Sequence, residues 1–89
     1  MKTLLYFTLF FLIMGCNKER NILVFQSDFG VKDGAVAAMK GVSTTVSKNL
    51  QIYDLTHEIT AFSIAEAAYR LEQSARYWPV GTVFVSIID

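Results

Sequence analysis

The sequence predicts an α/β fold built on a partial parallel sheet, with elements in the order β-α-β-α-β. Two observations lead to this fold class. Apolar runs of strand length alternate along the chain with segments whose apolar residues recur every three or four positions, and the links between them are short. Such alternation is typical of parallel sheets whose strands are joined by right-handed helical crossovers.

The first strand is predicted at residues 21–27, because its four consecutive apolar residues suit a sheet covered on both faces. A helix is predicted from Asp33, acting as the N-cap, to about Ser47. Gly41 and the β-branched residues 44–46 lower its helix propensity, so packing must hold it. The apolar positions with helical spacing are Val36, Met39, Val42 and Val46.

The second strand is predicted at residues 50–56, and a loop follows it. Ser63 and Glu66 then have the spacing of a capping box, which predicts a second helix from Ser63 to about Tyr77. The third strand is predicted at residues 82–89, after a segment that contains proline and glycine.

Residues 1–16 are predicted to be an export signal peptide rather than part of the domain. A lysine precedes an apolar run at residues 3–14, which is too short to span a bilayer comfortably. The ending LIMGC resembles a bacterial lipobox, so Cys16 is the expected lipidation site and residues 17–20 a polar tether. The expected location is that of an exported, membrane-anchored lipoprotein, periplasmic or on the outer face. The alternative is a buried N-terminal strand with an incidental cysteine.

The charge balance argues against a nucleic-acid-binding protein. Basic and acidic residues are equal in number, eight of each, so no basic surface is expected. Cys16 is the only cysteine, which excludes an intrachain disulfide and a cluster of thiolate metal ligands.

Polar side chains follow each predicted strand. Asp28 follows the first strand, Asp54, Thr56 and His57 lie at the end of the second, and Asp89 ends the third. Ligands of parallel α/β sheets bind beyond the carboxyl ends of the strands, so one edge of the sheet is a candidate site. Three interpretations stay open: a carboxylate that clamps the two hydroxyls of a ribose, a Mg²⁺ site, or aspartates that only cap turns and helices.

Three segments, SDFGVKDGAVAAMKGV, IYDLTHEI and AAYRLEQSARYWPVGTVFVSIID, resemble the N-terminal domain of the S-adenosylmethionine hydroxide adenosyltransferases. These are S-adenosylmethionine hydrolases related to fluorinases and chlorinases. The resemblance implies the N-terminal part of a larger two-domain fold. It implies water or hydroxide attack on the ribose C5′ of S-adenosylmethionine, which is the substrate, with no cofactor and no metal. A homotrimer is expected for full-length members, with substrate between neighbouring subunits.

The resemblance also implies roles for four residues. Asp28 matches the aspartate that holds the ribose hydroxyls, and Asp33 matches one near the methionine end, where a plain helix N-cap is the alternative. Phe62 matches an aromatic or apolar wall beside the nucleoside, where the alternative is a hydrophobic staple on the second helix. Asp89 matches the catalytic aspartate beside the hydroxide, and it favours water over halide. His57 does not match the family's catalytic histidine, and we interpret it as a residue that orients its own turn.

The sequence ends within the predicted third strand, so residues 21–89 are expected to be a truncated N-terminal α/β domain of a longer lipoprotein. The expected activity of the parent protein is adenosine-forming hydrolysis of S-adenosylmethionine, with the fragment itself inactive. The alternatives are an anchored nucleoside-binding lipoprotein without turnover and a non-functional truncated product.

Overall fold

The structure is a computed structural model that describes residues 21–89. Its elements confirm the predicted fold class and element order. The predicted signal peptide with Cys16 and the tether at residues 17–20 lie outside the described residues. In chain order the elements are β1 (Ile22–Ser27), α1 (Ala35–Val46), β2 (Gln51–Thr56), α2 (Ile64–Ala75) and β3 (Val83–Ile87).

The three strands form one parallel sheet in the order β2-β1-β3. Leu23 of β1 lies opposite Ile52 of β2 and Val83 of β3. β1 is therefore the central strand, and Val24 and Phe25 are 1% and 4% exposed. Its central position explains why its sequence is apolar without alternation, since both of its faces are covered.

The two helices lie on opposite faces of the sheet. Phe25 lines the same depression as Ala38 and Met39 of α1. The next residue, Gln26, donates from Nε2 to the Ala67 carbonyl of α2 at 3.0 Å. Because successive side chains of a strand point to opposite faces, these contacts assign α1 and α2 to the two faces. Within residues 21–89, neither helix has the length and apolarity needed to cross a bilayer.

The start of α1 differs from the prediction by one residue. Gly34, not Asp33, is the N-cap, so the prediction of Asp33 as N-cap is wrong. Asp33 nevertheless accepts a hydrogen bond from the Ala35 N–H at 3.0 Å, from the position before the cap. Of the predicted apolar positions, Val36 is buried, whereas Val42 and Val46 are exposed.

The start of α2 confirms one half of the predicted capping box. Ser63 is the N-cap, and its Oγ accepts from the Glu66 N–H at 3.2 Å. The Glu66 carboxylate does not return to the Ser63 N–H, because that group donates to the Thr60 carbonyl at 3.0 Å. Glu66 instead accepts from the Thr60 N–H at 3.0 Å, and its hydrogen bonding with Thr60 lowers the pKa of the Glu66 carboxyl.

Candidate functional site

The topology creates a gap at the carboxyl edge of the sheet, between β1 and β3. The chain passes from β1 to β2 on one side and then crosses to β3 on the other. The loops that leave two such strands diverge, and ligands of open α/β sheets bind in the resulting crevice. Asp28 follows β1 directly and Asp89 lies just after β3, so both residues lie at this gap.

The carboxylate of Asp28 joins three segments of the chain. Its Oδ2 accepts from the Phe62 N–H at 2.9 Å, and both of its oxygens lie 3.3 Å from the Asp89 backbone nitrogen. Asp28 is half-buried. An ionised carboxylate offers about four acceptor positions, so these two N–H donors leave acceptor capacity for a ligand hydroxyl. Asp28 and Asp89 therefore lie together, as the predicted parallel sheet requires.

Phe62 lies beside Asp28 in an unusual conformation. It is the only residue other than glycine with a positive φ among the described residues, at 67°. This left-handed region is strained for a bulky side chain, and such strain collects at functional sites. The residue is 70% exposed, so it does not pack as the predicted staple alternative would require. An exposed aromatic ring next to a carboxylate suits contact with the base or sugar of a nucleoside.

The structure separates Asp33 and Asp54 from this group. Asp33 is exposed, and among residues 21–89 no hydrogen bond links it to Asp28 or Asp89. Asp54 accepts from Lys40 Nζ at 2.6 Å through Oδ2 and lies 2.8 Å from His57 Nε2 through Oδ1. Asp54 is thus engaged by α1 and by its own turn, and only two aspartates stay at the gap.

His57 links the ends of β1 and β2. Its ring is buried, with Nδ1 2.7 Å from Ser27 Oγ and Nε2 2.8 Å from Asp54 Oδ1. These are the residue types of a nucleophilic triad, but Ser27 is 0% exposed and no substrate can reach its hydroxyl. The linkage is therefore structural and agrees with the prediction that His57 orients its turn.

Ser27 and Lys40 are members of this linkage that sequence reasoning missed. Ser27 directly precedes Asp28 at the end of a buried strand, which is the one available signal for it. Lys40 is fourteen residues from Asp54, and only the packing of α1 beside β2 brings them together. The register shift that leaves Leu55 without a partner in β1 also carried no sequence signal.

Opposing effects act on the carboxyl of Asp54. Burial raises its pKa. Hydrogen bonds from Lys40 and His57, together with their charges, lower the pKa by more than burial raises it, so the net pKa is below the ordinary 3.8.

Within residues 21–89, no three His, Cys, Asp or Glu side chains are grouped so that they could hold a metal ion.

Sequence comparison finds relatives for most of the described chain. Residues 23–89 match the family model for the SAM hydroxide adenosyltransferase N-terminal domain. A fluorinase of Nocardia brasiliensis is 34% identical over 70 residues, which cover 79% of this chain and 23% of the fluorinase. An (R)-S-adenosyl-L-methionine hydrolase of Methanocaldococcus jannaschii is 37% identical over 73 residues, covering 78% of this chain and 27% of the hydrolase. The chain thus spans about a quarter of the length of these relatives.

Solved structures share the fold. A conserved protein of Thermotoga maritima superposes with a TM-score of 0.73 at 30% identity, over 75% of this chain and 26% of that protein. A conserved protein of Thermus thermophilus superposes with a TM-score of 0.71 at 32% identity, over 78% of this chain and 29% of that protein. The three-stranded unit described above is therefore also the shape of the matching part of longer proteins.

The lowered pKa of Asp54 predicts an acid-dependent loss of stability. A depressed folded-state pKa adds stability that is present above the ordinary 3.8 and is lost as the pH falls through the lowered value. We expect Asp54→Asn to reduce the free energy of unfolding at about pH 5 and to have a smaller effect at about pH 3. Urea unfolding of the complete protein at both pH values measures this. An effect of equal size at the two values would contradict the assignment.

Proposed function

The chain belongs to the SAM hydroxide adenosyltransferase family, whose N-terminal domain it carries, and from this premise we propose that the complete protein hydrolyses S-adenosylmethionine to adenosine. Relatives named fluorinase and S-adenosylmethionine hydrolase support a role in processing S-adenosylmethionine. The observation that carries the proposal is the Asp28 carboxylate. It lies at the crevice between β1 and β3, fixed by two backbone N–H groups.

In the proposed complex, Asp28 accepts hydrogen bonds from the two ribose hydroxyls. The N–H groups of Phe62 and Asp89 hold the carboxylate in one orientation before the substrate arrives, which reduces the entropy lost on binding. The exposed ring of Phe62 lies against the nucleoside. Asp33, the residue before the N-cap of α1, is proposed to face the methionine end, as the family resemblance implies.

Asp89 is proposed to act beside the nucleophile. A carboxylate accepts a hydrogen bond from water and can orient it toward C5′, whereas its negative charge repels a halide ion. This difference favours hydrolysis over halogenation. The contact between the Asp89 backbone and Asp28 fixes the spacing of the two aspartates, and so relates the position of the nucleophile to that of the ribose.

The proposed reaction needs no redox partner. The water oxygen forms a bond with C5′ while the C5′–S bond breaks, and the electron pair of that bond neutralises the sulfonium. Methionine leaves, and the water loses one proton to solvent, so S-adenosylmethionine and water give adenosine, methionine and a proton. Exclusion of bulk water and alignment of the attacking oxygen with the C–S bond are the main sources of rate.

Incubation of the complete protein with S-adenosylmethionine tests the activity. We expect adenosine and methionine in equal amounts, identified by chromatography and mass spectrometry. Formation of methylthioadenosine would contradict attack at C5′ with methionine as the leaving group. A halogenated nucleoside formed in the presence of halide would assign the chain to the halogenating enzymes. Tight adenosine binding without any product would instead support the nucleoside-binding alternative.

Replacement of Asp28 tests the ribose contact. We expect Asp28→Ala in the complete protein to weaken adenosine binding by about 1.5–3 kcal/mol, the range for hydrogen bonds to a charged group. Isothermal titration calorimetry measures the change. Glu72→Ala is the matched control, because it removes an exposed carboxylate on α2 and should leave the affinity unchanged. Equal affinity of Asp28→Ala and wild type would remove Asp28 from the site.

Replacement of Phe62 by glycine separates its backbone role from its ring. Phe62→Gly keeps the N–H that binds Asp28 and relieves the positive φ, so we expect stability to hold or to rise by about 1 kcal/mol. Loss of the aromatic contact should weaken adenosine binding by about 1–3 kcal/mol. Thermal unfolding and calorimetry give the two values. A variant that binds adenosine as well as wild type would exclude Phe62 as a wall of the site.

A further inference from the structure

A continuous chain of polar side chains starts at Ser27, the residue before Asp28, and runs through His57 and Asp54 to Lys40. Ser27 Oγ lies 2.7 Å from His57 Nδ1, and His57 Nε2 lies 2.8 Å from Asp54 Oδ1. Lys40 Nζ donates to the other oxygen of Asp54 at 2.6 Å. Ser27 and His57 are 0% and 5% exposed, so water does not compete for the contact between them.

For a neutral imidazole, the hydrogen-bond partners give each bond a direction. Ser27 Oγ already accepts from the Phe29 N–H at 3.3 Å, so its own hydrogen is free to be donated to His57 Nδ1. The ring hydrogen then lies on Nε2, which donates to the acceptor-only carboxylate of Asp54. Lys40 supplies the opposite charge to that carboxylate. A neutral imidazole in this position is therefore the Nε2–H tautomer, with its acceptor nitrogen directed at Ser27.

Three contacts tie the turn that contains His57 to the loop that contains Asp28. The first is the bond between the side chains of Ser27 and His57. The Gly30 N–H donates to the His57 carbonyl at 2.8 Å, and the Ile59 N–H donates to the Ser27 carbonyl at 3.4 Å. Asp28 lies between the contacts at Ser27 and Gly30. Gly30 has a φ of 71°, which turns the chain back toward His57 in a conformation that glycine adopts without strain.

We propose that His57 is a positioning residue, which acts through Ser27 to hold the carboxylate of Asp28 at the crevice. The consequence for ligand binding rests on the proposed function of Asp28. His57 itself is buried, and its two ring nitrogens are bound to Ser27 and Asp54, so we assign it no part in the chemistry. Loss of its Nδ1 acceptor leaves the buried hydroxyl hydrogen of Ser27 without an acceptor, while the Ser27 oxygen still accepts from the Phe29 N–H. The strand end then relieves that cost by moving, and Asp28 moves with it.

Three variants of His57 in the complete protein distinguish its two bonds. His57→Asn puts a carbonyl oxygen near the position of Nδ1 and keeps an acceptor for Ser27, while it loses the bond to Asp54. His57→Gln reaches toward Asp54 and leaves Ser27 without an acceptor. His57→Leu loses both bonds. We expect Asp28 to keep its position in His57→Asn and to move in His57→Gln and His57→Leu.

Hydrogen–deuterium exchange reports the position of Asp28 without any ligand. The amides of Phe62 and Asp89 both donate to its carboxylate, so their protection depends on where that carboxylate lies. We expect their exchange to accelerate about tenfold in His57→Leu and His57→Gln, and to stay near the wild-type rate in His57→Asn. The amide of Val85, within β3, is the internal control.

The ratio of the affinities for adenosine and 2′-deoxyadenosine gives the functional readout. A wild-type ratio of about ten or more is expected for a hydroxyl bound by a carboxylate. The ratio should fall toward one in His57→Leu and His57→Gln and persist in His57→Asn. A general loss of stability would lower the amount of active protein but would leave this ratio unchanged.

The outcomes separate the two proposals. A wild-type ratio near one would overturn the role of Asp28 in ribose binding, and exchange would still decide whether His57 positions it. Unchanged exchange at Phe62 and Asp89 in His57→Gln, or equal loss in His57→Asn and His57→Gln, would overturn the inference about His57. If His57→Leu does not fold, the comparison of Asn with Gln decides the question alone.

Discussion

The carboxylate of Asp28 is the interaction on which the carboxyl edge of this sheet depends. It accepts hydrogen bonds from the backbone N–H groups of Phe62, which precedes α2, and of Asp89, which follows β3. One side chain thus holds the ends of three segments that are distant in sequence. Hydrogen bonds to a charged group are stronger than those between neutral groups, so these bonds contribute more to holding the edge than neutral ones would. The strained backbone of Phe62 is kept in place by the same bond.

The polar side chains at this edge form two separate sets. Asp28 and Asp89 lie at the crevice, whereas Asp54 is directed to Lys40 and to the buried His57 on the α1 side of the sheet. The division follows from the side-chain alternation of the strands, because Asp54 lies opposite Phe25, whose side chain faces α1. Among the described residues, no lysine or arginine forms a salt bridge with Asp28 or Asp89. A crevice with such carboxylates suits neutral hydroxyls and a cationic sulfonium.

Much of the fold could be predicted from sequence because it follows from local patterns. Apolar runs and helical spacing gave three parallel strands and two helices, and the Ser63 cap of α2 was confirmed. Details that depend on a neighbouring turn were not predictable. Asp33, one residue before the N-cap, accepts from the Ala35 N–H. Glu66 accepts from the Thr60 N–H because the Ser63 N–H already donates to the Thr60 carbonyl.

The candidate site was predictable only where a residue type and a strand end coincide, as at Asp28 and Asp89. The positive φ of Phe62 has no sequence signature, since the residues that favour that region are glycine and asparagine. The partnership of Lys40 with Asp54, and of His57 with Ser27, depends on packing and register across elements. Such contacts between distant segments are set by the assembled fold rather than by any local pattern.

The most direct test is a crystal structure of the complete protein with adenosine bound. We predict that both ribose hydroxyls lie about 2.7–3.2 Å from the carboxylate oxygens of Asp28, with the N–H groups of Phe62 and Asp89 still bound to it. A nucleoside that lies elsewhere, or a ribose held by other residues while Asp28 faces away, would contradict it.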